Sequence, residues 1–220
     1  MILETARLRL RPVTASDVDA LVALDSDPAV MRFVSGGTAT PHEVVADWVL
    51  PRAQAEYRQH RTGMWAALQR SRSAHGADEF AGWFALRTPR HSDRAELELS
   101  YRLRRSMWGR GLATEASRAL LAMSFQELAA ERVFAGTMAA NLPSRRVMEK
   151  IGMHLSAIRM SPGFYTAGAG EPTHGEVEYE LLRAQWAPAV APARMPARSV
   201  PWAGAAPVGA RHRRIVDLSA

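Results

Sequence analysis

The stretch from Ala95 to Gln126 limits the fold of this chain more than any other. AELELSYRL (95–103) alternates polar and apolar residues at the period of a half-buried strand, and SMWGRG (106–111) then sets Gly109 and Gly111 one residue apart. From Leu112 the apolar residues Leu112, Ala116, Ala119, Leu120, Met123 and Leu128 recur at the three-to-four spacing of one helix face. Strand, glycine turn, helix is the geometry in which unpaired backbone N–H groups converge on an anion, aided by the positive end of the helix dipole. Glycine there lets the backbone approach a phosphate with no Cβ between them. Arg104, Arg105 and Arg110 add positive charge beside the turn. A dinucleotide fingerprint needs glycine where Thr114 stands, and a P-loop needs Gly-Lys-Ser/Thr, so neither pattern is present.

The flanking sequence alternates strands and helices. ARLRLRPV (6–13) reads as a strand, and Thr14 with Asp17 as a capping box opening a helix through Val18, Leu21, Val22 and Leu24. Thr40, Pro41 and Glu43 signal a second helix start, with a break or kink at Pro51 before the helix continues to about His60. MWAALQR (64–70) and FAGWFALR (80–87) pair as a hairpin across the polar SRSAHGADE. In the strand 95–103, Glu96, Glu98, Ser100 and Arg102 fall on one face and Leu97, Leu99, Tyr101 and Leu103 on the other. RVFAGTM (132–138) is a short strand. In NLPSRRVMEKIGMH (141–154), Pro143 or Ser144 opens a helix with Val147, Met148 and Ile151 inward and Gly152 as its C-terminal cap.

Composition narrows the chemistry. The 220 residues suit one domain with a real core, residues 1–186, followed by a Pro/Ala-rich tail, 187–220, that reads as flexible. That tail holds five arginines against Asp217, +4 of the formal +6, so a nucleic-acid partner is not expected for the body and is conceivable only through the tail. With no cysteine there is no disulfide, thiolate–metal site or cysteine nucleophile. His42-Glu43 opens like a zinc-protease motif, but position 46 is alanine, and no metal is expected. No apolar run reaches the roughly 18 to 20 residues that span a bilayer, and MILETARLRLRPV threads arginines through its apolar positions, unlike a secretory leader. A cytoplasmic protein without membrane association is the expectation, as a monomer or a homodimer.

Five segments in this order resemble the GNAT superfamily of acyl-CoA-dependent N-acetyltransferases, in particular the branch containing N-terminal acetyltransferases of ribosomal proteins. They are LETARLRLRPVTASD at the start, Glu98-Leu-Ser-Tyr101, Trp108-Gly-Arg-Gly-Leu-Ala-Thr-Glu-Ala116, Asn141-x-x-Ser144 with Glu149-Lys150-Ile-Gly152, and EVEYELL (176–182). The likeness spans about residues 1–185. It implies an α/β fold whose mixed, mostly antiparallel sheet is flanked by helices, with strands 95–103 and 132–138 parallel and splayed to admit acyl-CoA.

The resemblance also implies roles. The family's Gln/Arg-x-x-Gly-x-Gly/Ala motif falls on Trp108, Gly111 and Ala113; the first position departs from the general pattern and matches this branch's Trp-Gly-Lys-Gly form. Main-chain amides of Trp108, Gly109, Arg110, Gly111, Leu112, Ala113 and Thr114 would hold the pyrophosphate of acetyl-CoA, with Arg104 beside them. Leu103 would donate to the acetyl carbonyl and Asn141 would hold the pantetheine arm. Ser144 would serve the departing sulfur, and Glu98 or Glu96 would take the proton of the attacking amine. The acceptor would be a primary amine, on a protein N-terminus or a small molecule, against a wall formed by residues 30–65 and the loop 160–175. The alternative is an acyl-CoA-binding sensor without turnover, tethered to RNA or a ribosome by the basic tail.

Overall fold

Alternation builds the sheet. In LRLRP, Leu8 and Leu10 are fully buried while the intervening arginines are not, because successive strand residues face opposite sides. The computed structural model describes residues 1–71, 73, 76–89, 95–159 and 175–186. Within them, β1 (Leu3–Glu4), β2 (Leu8–Pro12), β3 (Gly63–Gln69), β4 (Glu79–Arg87), β5 (Glu96–Leu103), β6 (Arg132–Met138), β7 (His154–Arg159) and β8 (Glu176–Leu182) form one sheet. Its order is β1-β2-β3-β4-β5-β6-β8-β7. Every neighbouring pair is antiparallel except β5–β6.

Helices cover both faces. On one side α5 (Leu112–Gln126) and α6 (Leu142–Lys150) place Leu112, Ala116, Leu120 and Met148 against Leu8, Leu10, Trp65, Phe84, Leu97 and Leu99. On the other, α1 (Val18–Asp25) and the run through α3 (His42–Val44) and α4 (Leu50–His60) pack Leu21, Leu24, Val45, Leu50 and Ala53 on Met64, Ala66, Trp83 and Ala85. The short α2 (Pro28–Met31) follows α1. Because β4 is covered on both sides, it is buried continuously from Ala81 to Leu86 rather than alternately.

Three helix starts differ from the sequence expectation; α6 begins at Leu142 under an Asn141 cap rather than at Pro143 or Ser144. The Thr14 box forms through its acid: Asp17 accepts from the Thr14 N–H at 2.7 Å and is clamped by both terminal nitrogens of Arg11 at 2.7 Å, opening a short 3-10 turn before α1. Thr40 does not cap α3; its hydroxyl donates to Asp25 at 2.6 Å, and Pro41 stands at the helix boundary. Nor does Pro51 break the helix. The segment Val45–Val49 widens into a π turn immediately before α4, which absorbs the missing proline N–H and keeps the helix continuous to His60. Strand β7 has no counterpart in the sequence reading. The tail 187–220 and the acceptor-side loop up to His174 lie outside the described residues.

Candidate functional site

The parallel pair opens after three positions. β5 and β6 are in register at Glu96↔Arg132, Leu97↔Val133 and Glu98↔Phe134. Beyond these, β5 stays with β4 as far as Leu103↔Gly82, and β6 stays with β8 as far as Met138↔Glu176. The facing edges of Leu99–Leu103 and Ala135–Met138 are therefore parted, leaving backbone groups of β5 directed into a gap.

Leu103 ends that open edge and is fixed from both sides. The Arg104 N–H donates to the Ala81 carbonyl at 2.9 Å, toward β4, so by strand alternation the Leu103 N–H and carbonyl point the other way, toward the gap. The Leu103 carbonyl accepts the Trp108 indole N–H at 2.8 Å. On the β4 side, Gly82 has φ +143°, and a Cβ there would lie 2.1 Å from the Arg102 carbonyl oxygen, so only glycine allows β4 this close.

The turn follows directly. Arg105–Met107 forms a 3-10 turn with Met107 buried, Gly109 and Gly111 adopt φ +70° and +76°, and α5 starts at Leu112 with no side chain capping its first N–H groups. A Cβ at Gly109 would meet nothing within 4 Å, so the turn is open on that side. Arg104 is directed away to Glu79 at 2.9 Å, whereas Arg110 stays with the turn, its guanidinium 3.1 Å from the Met107 sulfur. Behind the turn, Glu115 accepts from Thr5 and Arg7. Burial would raise its carboxyl, but hydrogen bonds from those two residues outweigh burial and hold it below the ordinary 4.5.

Across the gap, Asn141 caps α6 by accepting the Ser144 N–H at 3.4 Å, and its amide donates to the Thr137 hydroxyl at 3.0 Å. The Ser144 hydroxyl lies 3.0 Å from the Tyr101 hydroxyl, joining α6 to the open part of β5. Burial pushes the Tyr101 phenol up to about 12, so it remains protonated at neutral pH. Buried Arg145 donates to the Tyr179 hydroxyl at 3.1 Å and the Ala139 carbonyl at 3.2 Å, and Tyr179 donates to Glu149 at 3.0 Å, which seats α6 on β8.

The polar face of β5 looks toward α1. Glu96 pairs with Arg132 at 2.9 Å, and Arg132 also bonds Glu178 and Glu180 and lies 4.6 Å from the Phe134 ring centroid. Glu98 stands opposite Arg87 in register, and its carboxylate makes no hydrogen bond among the described residues. Arg102 pairs with buried Asp25 at 2.7 Å and stacks over Trp83. The structure thus gathers Leu103, Trp108, the two glycines, Asn141 and Ser144 around one opening, and places Glu98 on the adjoining sheet face. Asp25, Arg132 and Arg145 were not singled out from the sequence, and Tyr101, which closes the Glu98-Leu-Ser-Tyr101 segment, was given no role there. A tyrosine among the inward residues of β5 was the available signal for Tyr101, since a buried phenol needs a partner. Among the described residues no group of three or more His, Asp or Glu could hold a metal ion, and no helix is long and apolar enough to cross a membrane.

A sheet split along its parallel pair, with an uncapped helix end at the mouth, defines a mixed α/β fold with a cleft between two half-sheets. The chain belongs to the GNAT acetyltransferase family: the family described as "Acetyltransferase (GNAT) domain" matches residues 7–154. It is 30% identical over 193 residues to the FsC-acetyl coenzyme A-N(2)-transacetylase of Aspergillus fumigatus, covering 84% of this chain and 77% of the relative. It is 32% identical over 155 residues to the uncharacterised protein YkkB of Bacillus subtilis, covering 70% and 86%. Among solved structures, RimL, a ribosomal alpha-N-protein acetyltransferase in complex with coenzyme A, superposes with a TM-score of 0.66 at 17% identity, covering 83% of this chain and 98% of RimL. Such a likeness speaks for the fold, which matches the mixed, mostly antiparallel sheet with one parallel pair expected from the sequence.

Proposed function

We propose that this protein moves the acetyl group of acetyl-CoA to a primary amine by direct attack within a ternary complex. The observation that carries the reading is the uncapped start of α5 behind Gly109 and Gly111, at the mouth of the β5–β6 gap. The fit to the donor is chemical: a diphosphate needs convergent N–H donors without bulk before them, and the open side of Gly109 provides that space. The transacetylase relative, whose name specifies acetyl coenzyme A and a nitrogen acceptor, supports the same chemistry.

Amides of Trp108, Gly109, Arg110, Gly111, Leu112, Ala113 and Thr114 hold the diphosphate, and Asn141 steadies the pantetheine arm. When bound, acetyl-CoA supplies a thioester, an acyl donor with a thiolate leaving group. The gap-facing Leu103 N–H polarises the acetyl carbonyl, and charge grows on that oxygen as the amine attacks. Ser144 Oγ donates a hydrogen bond toward the sulfur side of the gap, where it stabilises the departing thiolate, and the Tyr101 hydroxyl, 3.0 Å away, holds it in place. Of the two carboxylates, Glu98 takes the proton of the amine, directly or through a water, because Glu96 is occupied by Arg132. A protein α-amino group, with a pKa of about 7.7 to 8.0, asks little of such a base, whereas a lysine-type amine near 10.4 asks more. The acceptor is a protein N-terminus or a small-molecule amine.

Calorimetry and thermal unfolding with acetyl-CoA, adenosine diphosphate and NAD test the donor site. Tight binding and a raised Tm specific to acetyl-CoA are expected, followed by thiol release when amines are supplied. No response to acetyl-CoA would remove the basis of the reading.

A further inference from the structure

The turn is braced from a distant part of the chain. Glu115 Oε1 accepts from the Thr5 hydroxyl at 2.6 Å and the Arg7 N–H at 2.8 Å, and Oε2 accepts from Arg7 Nε at 2.7 Å. The same guanidinium donates through Nη1 to the Arg110 carbonyl at 2.7 Å, and Nη2 lies 3.5 Å from where a Cβ on Gly111 would sit. One side chain from the segment before β2 thereby joins the first turn of α5 to the peptide between the two glycines.

We propose that Arg7 and Glu115 form a latch that sets the diphosphate-binding shape of the turn, so that affinity for acetyl-CoA is controlled by residues outside it. The proposal rests on the reading of that turn as the diphosphate holder. Its physical basis is the planar trans peptide: with the Arg110 carbonyl held by Arg7, the Gly111 N–H on the same plane must point the opposite way. Glycines at 109 and 111, with positive φ, are free to rotate that plane, and the latch removes the freedom. Electrostatics set a second condition. A carboxylate in the first turn of α5 repels an incoming diphosphate unless it is neutralised, and Arg7 provides that neutralisation. These are positioning residues.

The test measures the acetyl-CoA Kd by calorimetry, with steady-state kinetics and thermal unfolding, on wild type, Arg7→Ala, Arg7→Lys and Glu115→Gln. Arg7→Ala should weaken acetyl-CoA binding about tenfold or more, as loss of charge-assisted hydrogen bonds predicts, and raise KM for acetyl-CoA alone. The kcat at saturating acetyl-CoA should hold within about twofold, the split expected when only ground-state positioning is lost. Arg7→Lys keeps the charge without the forked geometry and should remain weakened. Glu115→Gln separates the latch from simple charge: a latch predicts weaker binding, whereas charge alone predicts tighter binding, because a negative charge has left the anion's surroundings. Unchanged affinity in Arg7→Ala, or tighter binding in Glu115→Gln, with wild type binding normally, would overturn the latch and leave the donor site standing. A wild type that does not bind acetyl-CoA would overturn both.

Discussion

Helices α5 and α6 both begin beside the opening between β5 and β6, and they are finished in opposite ways. α6 closes its own end: the Asn141 side chain accepts from Ser144, and Pro143 in the first turn has no N–H to leave unpaired. α5 begins at a left-handed glycine with no side-chain cap, so its first donors await a partner from elsewhere. A capped helix end is structure completed locally. An uncapped one that begins at a left-handed glycine leaves backbone donors open to a ligand.

The largest blow to that contrast is a carboxylate at the open end. Gly111→Glu should weaken acetyl-CoA binding at least about 100-fold, since like charges brought together cost several kcal/mol. Because Gly111 stands at φ +76°, the variant should also lose some Tm, so affinity is compared by calorimetry at a temperature where thermal unfolding shows both proteins folded. Retained affinity would show that the open end is not the anion site. At the closed end, Ser144→Ala should lower kcat by about ten- to 100-fold, the usual size of a lost hydrogen bond to a charged group, with little change in acetyl-CoA Kd. A fall in affinity instead would make Ser144 a binding residue.

Between the two ends, Trp108→Phe removes the indole donor to Leu103 and should lower kcat about five- to tenfold. An unchanged kcat would mean that the strand end needs no such tie. Asn141→Ala should cost about 1 kcal/mol of stability, read as a Tm fall of a few degrees, and Asn141→Asp, which keeps an acceptor, should recover most of it. The smallest effect is a pH slope. Glu115 has a lowered folded pKa, so its contribution is fully present above the ordinary 4.5 and is lost as pH falls through the folded value. Glu115→Gln should remove that part of the acid-side slope in Tm and leave the neutral range flat.

Much of the architecture was legible. The alternation of β2 and β5 and the face of α5 follow from periods of two and of three to four residues, and those periods survive in the burial of the folded chain, while the hairpin of β3 and β4 follows from two apolar runs across a polar turn. The glycine turn before α5 was legible because its glycines are local. What could not be read is what distance hides. β7 is an edge strand whose residues are mostly exposed on both faces, so it carries no alternation to detect. Thr40 looks like a helix cap until Asp25 is brought beside it, and Glu96 and Glu98 look equivalent until Arg132 takes the first. Arg7 and Glu115 are separated by 108 positions, and no local pattern predicts their meeting.

Arg132 also sets the mechanics of the sheet. β5 and β6 share only three paired positions, and at the closed end of that short pairing one guanidinium gathers Glu96 from β5 with Glu178 and Glu180 from β8. The two half-sheets therefore meet at a joint where Arg132 ties carboxylates from both sides, with Arg159 also pairing Glu178 at 3.3 Å. Without Arg132 the tie from Glu96 to Glu178 and Glu180 is lost, and the balance of charge across the joint shifts from attraction toward repulsion.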